Sequence, residues 1–187
     1  MIIIGITGTL GAGKGTIVDY LVKEKGFVHF SVRAFLIEEI KKRGLTVDRD
    51  SMITIGNELR AKHSPAFIVE QLFEQAQKSG EDCIIESIRA VGEVESLKGK
   101  GKFYLIAVDA NPEIRYQRII QRKSETDHVS FETFLMNEKR EMSSDDKNKP
   151  NLSLCIQMAD VVIMNNSTIE NLQNQCEFFL KNIHFNQ

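Results

Sequence analysis

The chain has 187 residues, with 24 Lys and Arg against 26 Asp and Glu, a formal charge of −2, and 42% hydrophobic and 27% charged residues. That length suits one compact domain with a core of its own. The ordinary composition excludes disordered and collagen-like chains, and the balanced charge excludes the broad basic surface that duplex DNA or an anionic membrane requires.

Residues 2–7 are a β-branched run, apolar on both faces, which predicts a buried parallel strand ending in a glycine-rich turn. A helix is predicted over about 14–25, with Ile17, Val18, Leu21 and Val22 on one face. Residues 27–30 read as a second strand and about 32–42 as the helix after it; over 50–62 the helical pattern is weaker. A further helix is predicted from Ser64-Pro65, a cap followed by a first-turn proline, burying Ile68, Val69, Leu72, Phe73 and Ala76. Residues 83–86 and 103–108 are the third and fourth strands, with a short helix around 93–97 and a solvated basic connection, Lys98-Gly-Lys-Gly-Lys102, between them. Asn111-Pro112-Glu113 opens the next helix with a cap, a proline and an acid at the positive dipole end. The charged stretch 123–150 reads as a lid-like segment with a helix over about 131–142. Residues 161–164 are a fifth strand, and Ser167-Thr168-Ile169-Glu170 reads as a capping box for a last amphipathic helix carrying Ile169, Leu172, Cys176, Phe179 and Leu180. This alternation predicts an α/β three-layer sandwich, a five-stranded parallel sheet covered on both faces.

Cys83, Cys155 and Cys176 are odd in number and widely spaced, so neither a disulfide framework nor a zinc site is expected. His29, His63, His128 and His184 have no partners at ligand spacing. The start Met-Ile-Ile-Ile-Gly lacks a basic leader, and no apolar run reaches the about 18 residues of a membrane span. A cytoplasmic monomer or homodimer with no nucleic-acid or membrane partner is the expectation.

The informative segment is Gly8-Thr-Leu-Gly-Ala-Gly13-Lys14-Gly15-Thr16, which follows the first strand and opens the first helix with the spacing of a phosphate-binding loop. Glycines let successive N–H groups turn inward as an anion nest at a helix N-terminus, and Lys14 supplies a compact cation for β- and γ-phosphate oxygens. Gly8, Gly11, Ala12, Gly13, Lys14, Gly15 and Thr16 are therefore candidates for binding a nucleoside triphosphate. The residue after Lys14 is Gly15, so the hydroxyl that would sit beside Mg²⁺ arrives one place late, at Thr16. Mg²⁺ is then expected through Thr16 or Glu86 by way of water.

This loop resembles that of adenylate kinase and the related nucleoside monophosphate kinases, and it implies the P-loop nucleoside triphosphate hydrolase fold. His29-Phe-Ser31 with Leu36 is similar to the acceptor-binding segment of those kinases; Ile37 stands where they place an acceptor-phosphate arginine, with Arg33 nearby. Glu86-Ser-Ile-Arg89 stands where the family has an acid and an arginine after the third strand. Arg118-x-x-x-Arg122 and Ala159-Asp-Val-Val-Ile-Met-Asn-Asn166 are similar to dephospho-coenzyme A kinase, whose acidic motif after strand two is replaced here by Phe30-Ser-Val-Arg-Ala34. The resemblance implies ATP and Mg²⁺ as cofactors and a nucleotide-like small molecule as acceptor.

Phosphoryl transfer needs alignment and positive charge on the transferring oxygens, which arginine forks provide. Lys14, Glu86, Arg89, Arg118 and Arg122 are the catalytic candidates, and Arg33, Arg60 and Arg89 the acceptor-binding ones. Asn166 is a candidate for the base, with Asn165 beside it. Arg49, Asp50 and Asn57 belong to the same insertion as Arg60, and Arg115 and Arg140 are weaker candidates. The chain reads as one kinase domain over 1–187, with an acceptor-binding insertion at about 31–80 and a lid-like segment at about 115–150. Transfer from Mg-ATP to a nucleoside or deoxynucleoside monophosphate is the leading expectation. Dephospho-coenzyme A kinase and an ATP-binding regulatory switch without an acceptor are the alternatives.

Overall fold

The structure, a computed structural model, describes residues 1–122, 129–146 and 149–185. Five strands, β1 (Ile3–Gly8), β2 (Val28–Ser31), β3 (Cys83–Glu86), β4 (Phe103–Asp109) and β5 (Val161–Met164), form one sheet in the order β2-β3-β1-β4-β5. Every pairing is parallel, with Gly5 of β1 opposite Ile85 of β3 on one side and Leu105 of β4 on the other. All residues of β1 are buried. Side chains alternate across a strand, so a strand covered on both faces must be apolar at every position. Ile3, Ile85 and Leu105 enter one core, and Ile4, Ile6, Ile84 and Ile106 the other.

The helices sort to these two faces. α1 (Lys14–Lys25) and the last helix, α9 (Ile169–Phe185), cover the second core with Ile17, Leu21, Leu172 and Cys176. α2 (Val32–Lys42), α3 (Arg49–Lys62), α4 (Phe67–Ser79), α5 (Val91–Lys98) and α8 (Leu152–Gln157) contribute to the first. α6 (Pro112–Arg122) and α7 (Phe131–Met142) pack on each other through Tyr116, Phe131 and Phe134, at the end of the sheet where the strands finish. The three thiols are buried and free. Burial pushes Cys83 up to about 11 and Cys155 and Cys176 up to about 12, so they pack as small hydrophobes.

Three boundaries depart from the expectation. α4 begins at Phe67; Ser64-Pro65 forms the preceding turn, where the Ser64 carbonyl accepts the Phe67 N–H at 3.1 Å. The α9 cap is Thr168 rather than Ser167, since Thr168 Oγ1 accepts the Asn171 N–H at 3.2 Å. α8 has no counterpart in the sequence reading: six residues are too few for a period, and it is held by its Asn151 cap and by burial of Leu152 and Cys155. The weak pattern at 50–62 is a full helix. A reciprocal cap between Asp48 and Ser51 starts it, and its inward face includes Gly56 and Arg60 as well as Ile55 and Leu59.

Candidate active site

β1 is the central strand, and the chain crosses from one side of it to the other between β3 and β4. In an open parallel sheet that reversal opens a crevice beyond the carboxyl ends of the strands. The segment 8–16 leaves β1 there, flanked by the end of β3, which carries Glu86 and then Arg89, and by Asp109 at the end of β4.

Glycine is required where the backbone makes the nest. Gly8 has φ 131°, and a Cβ there would lie 2.0 Å from the Val108 carbonyl oxygen. Gly13, at φ 103°, is the N-cap residue of α1 and offers no side chain to its first turn, where the Thr16 N–H already donates to the Gly13 carbonyl at 3.1 Å; the N–H groups of Lys14 and Gly15 are the ones left for an anion. The surroundings hold the loop from behind. Asn165 Nδ2 donates to the Ala12 carbonyl at 2.8 Å, Thr9 Oγ1 donates to Asp109 Oδ1 at 2.6 Å, and Arg115 Nη1 donates to the Leu10 carbonyl at 3.3 Å. Lys14 Nζ donates to the Gly8 and Thr9 carbonyls at 2.9 and 2.7 Å.

Lys14, Thr16, Glu86, Arg89, Arg118 and Arg122 line one cavity over this loop, together with Arg33. Glu86 accepts hydrogen bonds from Ser87 at 3.1 Å and Ser31 at 3.4 Å, with His29 Nε2 at 3.3 Å. Burial alone would raise its pKa, but the His29 and Ser87 hydrogen bonds and the charges of His29 and Lys14 outweigh it, so the group is held below the usual range and stays a carboxylate. Ser87, beside it, takes φ 71°, a left-handed conformation uncommon outside glycine, which marks the chain's sharp exit from β3. Among the described residues Arg118 Nη1 is buried and finds no hydrogen-bond partner. Buried donors in folded proteins are almost always satisfied, so this guanidinium fits a site completed by an anion. No cluster of three or more His, Cys, Asp or Glu among the described residues could hold a metal alone. Thr16 and Glu86 share the loop cavity, a hydroxyl and a carboxylate suited to a hard cation that keeps several waters and phosphate ligands.

A second cavity adjoins the first, sharing Leu10, Arg33, Ser87, Arg89 and Arg122 with it. Val32, Leu36, Met52 and Ile53 give it apolar walls, and Arg49, Asn57 and Glu141 add polar groups.

A family model described as "AAA domain" matches residues 4–148. A UPF0200 protein of Methanococcus vannielii is 30% identical over 190 residues, covering 100% of this chain and 98% of its own length. The chain belongs to the AAA-domain family and is a UPF0200 protein. A second UPF0200 protein, of Pyrobaculum aerophilum, is 29% identical over 92% of this chain and 93% of its own. Among solved structures, shikimate kinase of Aquifex aeolicus matches with a TM-score of 0.55 at 14% identity, over 100% of both chains. Dephospho-CoA kinase of Campylobacter jejuni matches at 0.51 and 15%, over 97% of this chain and 96% of its own. The fold of this UPF0200 protein is thus the P-loop kinase-like fold.

Several sequence-predicted residues stand elsewhere than expected. Arg60 reaches the second cavity's wall, but its guanidinium is buried against Glu93, with Nε and Nη2 at 3.1 and 2.8 Å from Oε1. Sequence alone gave Arg60 an acceptor role because a buried arginine and a ligand-binding one look alike; its partner lies 33 residues away. Asn166 accepts the Asn111 N–H at 2.7 Å and ties β5 to α6, whereas Asn165, Ser167 and Ile169 line the loop cavity. Arg115 is 3% exposed and pairs with Glu138 of α7, bracing the UPF0200 loop from below. Gly8 and Ala12 shape the loop from outside the cavity, where Gly11, Gly13 and Gly15 line it. Of the lid-like segment, 123–128 and 147–148 lie outside the described residues, as does the His128 position. Arg49, Glu141 and Asp109 join the site without a signal in the sequence: Glu141 and Asp109 carry no motif, and Arg49 has only its place in the insertion.

Lys14 has a pH signature. Burial first, and then the Arg89 charge, lower its pKa to about 8, against the opposing pull of Glu86. The free loop therefore loses its lysine charge above about pH 8, while a bound triphosphate favours the protonated form and raises the pKa again. Triphosphate affinity is expected to fall up to roughly tenfold per pH unit above that point, with about one proton taken up on binding at about pH 9. Calorimetry in buffers of different ionisation heat reads the proton directly; pH-independent affinity with no uptake contradicts this reading of Lys14.

Proposed function

We propose that this protein is an ATP-dependent phosphotransferase that moves the terminal phosphoryl group of Mg-ATP to a nucleoside or deoxynucleoside monophosphate. The observation that carries the reading is the convergence of Lys14, Arg89, Arg118 and Arg122 on the loop cavity, next to a second cavity that shares Arg89 and Arg122 with it. A nucleotide-driven switch needs only the first cavity. A transferase needs two, joined through the cations that span the reacting phosphates.

In this reading the loop N–H groups and Lys14 hold the donor's β- and γ-phosphates. Arg118, with its unsatisfied Nη1, and Arg122 meet the equatorial oxygens of the transferring group. Arg89 stands between donor and acceptor. An acceptor phosphate oxygen forms the new bond to the γ-phosphorus as the bond to the β-bridging oxygen breaks, and ADP keeps that electron pair. Thr16 and Glu86 would hold Mg²⁺ through water, and the ion supplies charge neutralisation on the β- and γ-oxygens. The insertion at about 31–80, which contributes Arg33, Arg49 and Asn57, supplies the acceptor cavity. Arg118 and Arg122 of α6 meet the donor from the side of the lid-like segment's first helix.

The experiment is ADP release measured over ribo- and deoxynucleoside monophosphates, dephospho-coenzyme A and shikimate. At least one monophosphate is expected to raise ADP release about a hundredfold or more over buffer, the scale of positioning effects in transfer enzymes. Stimulation by dephospho-coenzyme A or shikimate alone would replace the acceptor assignment, and stimulation by none would favour the switch.

A further inference from the structure

We propose that Arg49 and Arg89 form an oxyanion-binding subsite in the second cavity, and that Glu141 is an internal carboxylate occupying it until the acceptor's own anion takes its place. The proposal rests on the two-cavity reading above and names the acceptor's chemistry there: a phosphate or carboxylate group.

Glu141 divides its two oxygens between two arginines from different parts of the chain. Oε1 accepts Arg49 Nη2 at 2.6 Å from the first residue of α3, and Oε2 accepts Arg89 Nη1 from the segment after β3. The Glu141 side chain is 11% exposed, whereas those of Arg49 and Arg89 are 28% and 30% exposed, and all three line the cavity. Among the described residues lining this cavity Glu141 is the sole acid, set against Arg33, Arg49, Arg89 and Arg122. Two guanidinium forks converging on one carboxylate form the arrangement that a ligand phosphate or carboxylate reproduces oxygen for oxygen.

The contrast with Arg60 separates an exchangeable pair from a structural one. Arg60 borders the same cavity, but its partner Glu93 is 0% exposed and also accepts the N–H groups of Arg89 and Ala90, at 2.8 and 3.0 Å. Glu141 has no such second duty: among the described residues its carboxylate accepts hydrogen bonds from these two arginines alone. It is the penultimate residue of α7, where a helix end opens at least cost. Earlier turns stay fastened to α6, because Phe134 packs on Tyr116 and Glu138 pairs with Arg115. Exchange therefore needs only the last turn of α7 to release its side chain, and Arg89 passes to the acceptor already inside the cavity it shares with Lys14.

The test titrates inorganic phosphate, and separately acetate, into the full chain with the loop filled by a β,γ-imido analogue of ATP. Glu141→Gln, similar in size and uncharged, is expected to bind phosphate about tenfold tighter than the unaltered protein, the gain when a competitor filling about nine-tenths of the sites is removed. Adding Arg49→Ala to that variant is expected to abolish the gain. A gain for acetate without one for phosphate assigns a carboxylate-bearing acceptor, and a gain for phosphate alone a phosphate-bearing one. Equal phosphate affinity with and without Glu141→Gln overturns the proposal. A measurement on the unaltered chain needs no substitution: phosphate is expected to speed amide exchange in the last turn of α7, and no change there also overturns it. Binding of the analogue, read first, tests the donor site by itself, so a failure of the kinase reading is told apart from a failure of this one.

Discussion

Lys14→Ala is expected to lower acceptor-dependent turnover by about three orders of magnitude while changing folding stability by less than about 1 kcal/mol. Both halves follow from the place of the side chain. Among the described residues its ammonium donates to the Gly8 and Thr9 carbonyls of its own loop alone, and burial lowers its pKa to about 8, so the charge itself is disfavoured in the fold and its loss offsets those two hydrogen bonds. The loop's shape rests on other contacts: the left-handed glycines, Asn165 behind Ala12, and Thr9 on Asp109. In the transition state, by contrast, the ammonium meets charge developing on the phosphoryl oxygens inside a cavity of low dielectric. Removing one preorganised donor from such a site costs about 10²–10³ in rate, and a full cation belongs at the upper end. Single-turnover kinetics beside urea unfolding separate the two effects. A large stability loss would make the rate uninformative about chemistry, and an unchanged rate would remove Lys14 from the reaction.

Glu93→Ala is expected to have the largest effect on stability, a loss of about 3–5 kcal/mol in a fold whose total is about 5–15 kcal/mol. The carboxylate is fully buried, and its removal strands Arg60 in the core and leaves the Arg89 and Ala90 N–H groups without an acceptor. Replacing both partners, Arg60→Met with Glu93→Leu, is expected to recover most of that loss, because two apolar chains of similar size do not leave a charge unpaired. The residual deficit is the two orphaned N–H groups. Urea unfolding of the three variants checks this. If Glu93→Ala unfolds like the unaltered protein, Arg60 is not a structural residue and its acceptor role returns.

The same pair explains where the sequence was opaque. Strand and helix positions were legible because the sheet is buried on both faces, so Ile3, Ile84 and Ile106 announce themselves without any partner in view. The loop was legible because its glycines and lysine fall at fixed spacing within one short segment, 8–15. α3 was faint because two inward positions are not hydrophobic: Gly56 leaves room for Arg60, whose Nη1 would lie 3.2 Å from a Cβ there, and Arg60 turns inward to meet Glu93. The site arginines were named as a group, but their sorting depended on carboxylates far away in the chain. Glu93 takes Arg60, Glu138 takes Arg115, and Glu141 takes Arg49 and Arg89. Nothing in local spacing marks those acids, since α7 carries several and only packing decides which face the crevice. Asn165 and Asn166 show the same limit at one-residue resolution: adjacent side chains at a strand end point to opposite sides, and the sequence does not say which.

The central claim is that the loop's donor phosphate passes to a small acceptor held in the second cavity, and following the phosphoryl group itself tests it most directly. ATP labelled at its γ-phosphate is incubated with the protein, Mg²⁺ and the best-stimulating monophosphate, and the label is traced. The account predicts label on the acceptor, formed in step with ADP and lost together with it in Lys14→Ala. Label appearing only as inorganic phosphate, with none on any acceptor, would contradict it.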